Sequence, residues 1–483
     1  MAVLLAASLG GPAIAAQEVG SIATQGEPEL PPGLAPASAE EGADEPSLPM
    51  GLGGAEGEEP SLPPGLGGEE EARGAAEAPD RGRGRGASWR DLHGFWEARV
   101  GPRLERDPAQ PDDYTLAESR LQLEWEAAGK RTSLELRGDL VADAVSDELD
   151  WDQRELQLST SLGSSIDLKI GRQILTWGTG DLLFINDLFP KDWVSFFIGR
   201  DTEYLKAPSD ALRFGWFPGG IQVDLVYTPQ FDPDRFIRGE RISFWSPRAH
   251  AMSGGLVGHD QPVDAAVPDR WLTDDELALR VYRNVGSFEL ALYGYDGFWK
   301  SPAGFDPDTS RATFPRLRVY GSSARGPLGP GIASLELGFL DSRDDPSGDD
   351  PLVSNSEARL VVGYEQELAR ELTGGFQYYV ERLLDYDSYL RSLGGGRPRD
   401  ELRHVVTVRL TKLLMSQNLR LGVFAYASPS DRDAYLRPEV SYAWSDRWTV
   451  GAGGNWFLGE DESTFFGQFE NNSNVYVSVR ASF

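Results

Sequence analysis

Apolar residues recur at every second position through most of this chain, and the segments that carry the alternation are joined by connections that are alternately short and long. A period of two places side chains on opposite faces of an extended strand, so each segment predicts one apolar and one polar face. Leu121, Leu123 and Trp125 alternate with Arg120, Gln122, Glu124 and Glu126. Leu419, Leu421 and Val423 alternate with Arg420 and Gly422, and Val475, Val477, Val479, Ala481 and Phe483 alternate with Tyr476, Ser478, Arg480 and Ser482. Counting such runs predicts about eighteen strands, the first over 88–100 and the last over 472–483.

The connections choose the architecture. Tight turns are expected at Gly129-Lys130, Gly163-Ser164, Pro218-Gly219, Val285-Gly286, Met415-Ser416 and Ser445-Asp446. The intervening connections are mostly long: 176–207, 229–273, 298–312, 343–353, 386–400 and 458–471. A soluble sandwich has no reason to gather its long loops at one end, and would need a second sheet over each apolar face. An even number of strands with short turns at one end and long loops at the other is the pattern of a transmembrane antiparallel β-barrel of the bacterial outer membrane. The expected fold is therefore all-β, with lipid outside and the polar faces lining a lumen. No apolar run beyond the N-terminus approaches the ~18 residues that a spanning helix needs. A last strand that alternates and ends on Phe483 is similar to the signal read by the barrel-assembly machinery, which makes that machinery an expected partner beside outer-membrane lipid and lipopolysaccharide.

The first part of the chain is different. Residues 1–16 are an apolar stretch ending in Ala13-Ile14-Ala15, which reads as a signal peptide with its cleavage site. Residues 17–87 are rich in Glu, Pro, Gly and Ala, a composition that cannot bury enough apolar surface to fold. This stretch is expected to be a disordered periplasmic tail, followed by the barrel over 88–483. Within it a unit recurs as PELPPGL, PSLPMGL and PSLPPGL. Each copy holds two leucines in a proline-stiffened frame: Leu30 and Leu34, Leu48 and Leu52, Leu62 and Leu66. Such repeats suit capture of a periplasmic or inner-membrane transporter partner, with avidity gained from repetition.

On the expected lumen face lie Arg120, Arg137, Arg280, Arg318, Arg359, Arg409 and Arg420, interleaved with acids that include Glu289, Glu336 and Glu365. In lipid these charges are costly, whereas inside they pair or meet water. The stretch from Lys169 to Pro208 starts as a strand and becomes a loop containing Leu182, Leu183, Phe184, Ile185, Phe196, Phe197 and Ile198. That much apolar surface needs cover, so the loop is expected to fold into the barrel as a constriction. Gly171-Arg172-Gln173, Trp177-Gly178, Pro190 with Asp192, and then Glu203, Lys206 and Pro208 resemble a pattern in a group of proteobacterial outer-membrane porin-like proteins. That group is similar in style to alginate-export barrels and is often associated with envelope transporters of the resistance–nodulation–division type. In this chain Phe189 stands where the family has Asn before the proline. The resemblance implies a conduit for small solutes or apolar compounds, alone or as the outer-membrane part of a multi-part transport complex. The constriction residues carried forward are Arg172, Trp177, Asp181, Asp187, Pro190, Asp192, Trp193, Glu203 and Lys206.

Chemistry leaves little trace. The chain has no cysteine and four histidines, His93, His250, His259 and His404, none at metal-ligand spacing, so neither metal nor cofactor is expected. A net charge of −30 argues against nucleic acid. No nucleophile motif is present, and a barrel hydrolase using His404 is the weakest of the three functional readings.

Overall fold

The computed structural model describes residues 92–246, 250–256, 263–393 and 398–483. Residues 1–16 and 17–87, read above as a signal peptide and a tail with leucine repeats, lie outside the described residues.

The first strands are β1 (Leu92–Pro102), β2 (Tyr114–Ala128), β3 (Thr132–Asp143), β4 (Glu148–Leu162), β5 (Ile166–Ile174) and β6 (Pro208–Trp216). Next come β7 (Gln222–Thr228), β8 (Glu276–Val285), β9 (Phe288–Phe298), β10 (Arg316–Leu328), β11 (Gly331–Ser342) and β12 (Glu357–Ala369). The last are β13 (Leu372–Leu383), β14 (Leu402–Leu414), β15 (Leu419–Ser428), β16 (Asp433–Ala443), β17 (Trp448–Gly459) and β18 (Asn474–Ser482). Each pairs antiparallel with its sequence neighbours, and together they form an 18-stranded sheet. β1 also pairs with β18, from Phe95 opposite Ser482 to Val100 opposite Val477. That seam closes the sheet, leaving no edge for another chain to extend.

The alternation read from the sequence is the alternation of the wall. On β1, Glu97 and Arg99 are buried toward the interior while Trp96 and Val100 are exposed. Outward residues such as Leu156, Leu158, Leu292, Leu337, Val362, Phe376 and Val477 form an apolar exterior. An exterior of this kind is stable only in lipid, and closure satisfies every backbone group that lipid cannot. The protein is thus an outer-membrane β-barrel.

Turns at one end are short and loops at the other are mostly long. Two loops depart from that rule, 144–147 and 429–432, each only a few residues between long hairpin strands. The 229–275 connection is not plain loop. It carries a small hairpin of Phe244–Ser246 with Ala251–Ser253, and Ala265–Ala266 joins a three-stranded patch with Gly304–Asp306 and Arg311–Thr313.

One strand breaks the sequence reading of its faces. On β10, Leu317 and Val319 are 2% and 1% exposed and point inward, so Arg318 points out. Two apolar residues flanking an arginine predict an apolar outer face. Here they meet an apolar cluster inside the wall, with Trp177, Tyr293 and Leu340. Arg318 instead pairs outside with Asp296. Its assignment to the lumen is corrected.

Candidate functional site: the inward loop and the charged lumen

After β5 the chain turns into the barrel, and residues 175–207 pack inside the wall. The helix α1 (Trp193–Ile198) lies at the centre of this loop. Asp192 caps it, its side chain accepting from the Ser195 N–H at 2.7 Å. Gly199 ends it in the left-handed region, at φ 94. A Cβ at Gly199 would stand 2.4 Å from the Tyr476 ring, so both conformation and close approach call for glycine there.

The apolar residues of the loop pack against the wall. Phe196 and Phe197 meet Tyr435, Phe197 meets Phe457, and Phe469 from the 460–473 loop covers Phe197 at 5.2 Å. Leu183, Ile185, Phe196, Ile198 and Leu205 are fully buried in the same cluster. Each such side chain contributes roughly 1.5–3 kcal/mol. Packing is therefore the main source of the loop's stability.

Polar contacts fix where the loop sits. Glu336, on β11, accepts from the N–H groups of Thr179 and Gly180 (2.7 Å for the latter) and from the Asn186 side chain at 3.0 Å. On another side of the lumen, Arg99 of β1 reaches Asp201 at 2.6 Å and Glu97 at 3.1 Å, and Arg480 of β18 pairs with both acids. Arg437 of β16 donates to the carbonyls of Phe196 at 3.0 Å and Arg200 at 2.6 Å. Arg200 in turn reaches Glu118 of β2 at 2.7 Å. Asp181 pairs with Arg409 of β14. The loop is thus tied to strands spread around the barrel. Burial opposes charge on Asp201, but Arg99 and Arg480 more than offset it and hold that carboxyl well below the usual range.

The lumen divides into two levels. Around the loop the inward charges are dry: Arg120 with Glu118 and Asp139, and Arg359 with Glu357 and Glu381, are all below a tenth exposed. Toward the periplasmic turns they are partly open: Arg280 with Glu289, Arg137 with Glu124, and Arg420 with Glu439. These pairs line a vestibule of mixed sign beneath the loop.

The remaining sequence-derived residues fall as follows. Trp177 packs edge-on against Phe189 at 5.0 Å and near Tyr293. Asp187 is buried, accepting from Thr176 at 2.8 Å and pairing with Lys191 at 2.9 Å. Pro190 is buried, and its carbonyl accepts from the Ala207 N–H at 3.1 Å. The Trp193 indole donates to Asp234 at 3.1 Å, and Asp192 meets Arg235 at 3.4 Å. Arg154 donates to the Glu203 carbonyl at 3.2 Å. Lys206 bridges backbone to Lys191. The seven thus sit in or against the inward loop together with Asp181. Arg172 does not. It lies on the outer face of β5 and pairs with Asp210 at 3.0 Å. Gln173 is the inward neighbour, buried at 2%, and strand alternation then forces Arg172 outward. Arg172 is removed from the constriction set.

Sequence reading left Arg99, Arg154, Arg437 and Asp201 unassigned, although each holds the loop. The first three carry the same signal as the lumen arginines that were named, an inward position in an alternating strand. His404 lies on the outer face of β14, its Nδ1 at 2.8 Å from the Tyr378 hydroxyl. Among the described residues no group of three or more potential metal ligands converges.

No family model matches the chain, and no curated protein matches it. The chain is similar to solved structures at low identity. Acinetobacter baumannii OccAB3 matches at 10% identity and a TM-score of 0.48, covering 81% of this chain and 98% of that one. Pseudomonas aeruginosa OccD3 matches at 8% identity and a TM-score of 0.47, covering 83% and 92%. A mutant of Rh. blastica porin matches at 12% identity and a TM-score of 0.35, covering 81% and 99%. The closed strand register fixes the fold independently of these distant likenesses.

Proposed function

We propose that the barrel is a porin-like conduit in which residues 175–207 form the constriction. The observation that carries this reading is the loop itself, tied to β1, β2, β11, β14, β16 and β18 at once above a vestibule of partly exposed charges. A barrel wall needs no such inner element to be stable, whereas a selective passage needs a narrowing built from charged groups. The vestibule charges are paired and of both signs, which favours small polar or zwitterionic solutes over a strongly charged class. The loop's apolar residues are used in packing and offer no separate apolar track.

Purified protein in planar bilayers should conduct, and a variant lacking 179–200 should conduct severalfold more. Absence of current in both forms overturns the reading. A role as the outer-membrane part of a multi-part transport complex is a second proposal, and it rests on the three leucine-bearing repeats at Leu30 to Leu66. Its test is whether a peptide of residues 28–66 captures a purified periplasmic adaptor or inner-membrane pump.

A further inference from the structure

The apolar exterior is not equally tall around the barrel. On β17 the outward residues run Trp448, Val450, Ala452, Gly454, Trp456, Leu458. On β5 they are only Ile166, Leu168 and Ile170 before Arg172, and on β6 only Trp216, Phe214 and Leu212 before Asp210. At ~3.3 Å per residue and a strand tilt of ~40°, the unbroken band is roughly 25 Å tall on β17 and roughly 10 Å tall on β5 and β6 up to the charged pair, beyond which stand half-buried Ile174 and buried Pro208. Arg172 and Asp210 stand directly opposite each other in the ladder, and their side chains are 29% and 61% exposed. Arg172 also donates to the Gln153 carbonyl of β4 at 2.7 Å, and Asp232 receives the Asp210 N–H at 3.0 Å. On the adjoining β4, Trp151 and Leu149 continue outward and exposed above Gln153, so the apolar level is higher beside this patch than on it.

Acyl chains do not solvate an exposed carboxylate, and a membrane meeting a short apolar band adjusts its thickness to match. We infer that the lipid bilayer is locally thinned over β5 and β6, with hydrated lipid head groups of the outer leaflet drawn down onto the Arg172–Asp210 pair. The sector is an interaction surface for lipid head groups rather than for acyl chains. It brings polar surface of the leaflet close beneath the 229–235 segment and the entrance of the inward loop. An amphiphilic molecule moving along the leaflet meets the barrel there with the least apolar wall to pass.

The chain has no cysteine, so single spin labels report cleanly. Leu212→Cys is the third outward position above the turn on β6, and Val362→Cys is the fourth on β12, inside an unbroken apolar stretch. With the full-length protein in phosphatidylcholine vesicles, a label at 212 should collide with a water-soluble nickel chelate about threefold or more as often as one at 362. Adding Arg172→Leu and Asp210→Leu together should restore the level at 212 to that at 362. Equal nickel access at the two sites overturns the proposal. So does exclusion of both nickel chelate and oxygen at 212, which would mean a protein partner covers the face.

Discussion

Glu336 shows how a single residue positions the inward loop. Its carboxylate lies within the wall, 1% exposed, and takes donors from a Gly-Thr-Gly turn and from Asn186. A neutral amide there faces the same N–H groups with an NH₂ of its own, and an unsatisfied buried donor costs about 1–3 kcal/mol. Glu336→Gln should therefore free the start of the loop while leaving the pairing of β11 intact. The expected result is larger and noisier single-channel currents with little change in Tm, and wild-type currents would show that packing alone holds the turn. Asp201 makes a pH prediction. Its folded pKa is depressed, so its contribution is fully present above the unfolded value of about 3.9 and is lost as pH falls through the lower folded value. Conductance should be flat from about pH 5 to 8 as far as this latch is concerned and rise only in stronger acid, and Asp201→Asn should show the acid-like conductance at neutral pH. The limits of sequence reading also lie at this scale. Arg318 was placed inside because charge usually faces the lumen, and an inward apolar cluster reverses that face without altering composition. Arg172 entered the constriction set with the Gly171-Arg172-Gln173 pattern, although strand alternation with Ile166, Leu168 and Ile170 puts it outside.

The inward loop was legible as an element because its apolar content demanded cover. What covers it was not legible. The covering surface is a run of inward aromatics, Phe424, Tyr426, Tyr435, Phe457 and Tyr476, joined by Phe466 and Phe469 of a neighbouring loop. Beside Tyr426, Tyr435 and Phe457 stand Ala, Leu or Trp, so both faces read as apolar there, whereas Phe424 and Tyr476 share the faces already read as polar from Arg420 and Arg480. The helix α1 depends on its cap more than its length implies. With six residues it is too short to persist alone, and Asp192 serves both as its cap and as a partner of Arg235. Asp192→Ala should cost about 0.5–2 kcal/mol through the cap. Protease added to outward-facing vesicles should then cut within 190–205 faster than in the parent protein. Equal cutting rates would assign the loop's rigidity to the aromatic packing instead.

At the scale of the whole molecule, closure depends on residues that begin at β1. All eighteen strands lie between Leu92 and Ser482, and the closing seam joins β1 to β18, with Gly94 and Phe483 exchanging backbone hydrogen bonds of 3.1 and 3.0 Å. The eighteen strands and their closing seam are complete within the described residues. Removal of 17–87 should therefore leave the heat-dependent shift of the folded barrel on unboiled gels unchanged. One residue of the seam should do what the whole of 17–87 does not. Gly94 sits between β2 and β18, where a Cβ would stand 2.2 Å from the Gln122 carbonyl oxygen and 3.1 Å from the Phe483 ring. A β-branched residue cannot fit there unless β1 moves away from one neighbour. A closed sheet has no free edge along which to shift, so the strain falls on the seam. Gly94→Val should accordingly lower the yield of the heat-modifiable form severalfold. If the tail deletion abolishes that form while Gly94→Val spares it, the barrel does not close through the β1–β18 seam alone.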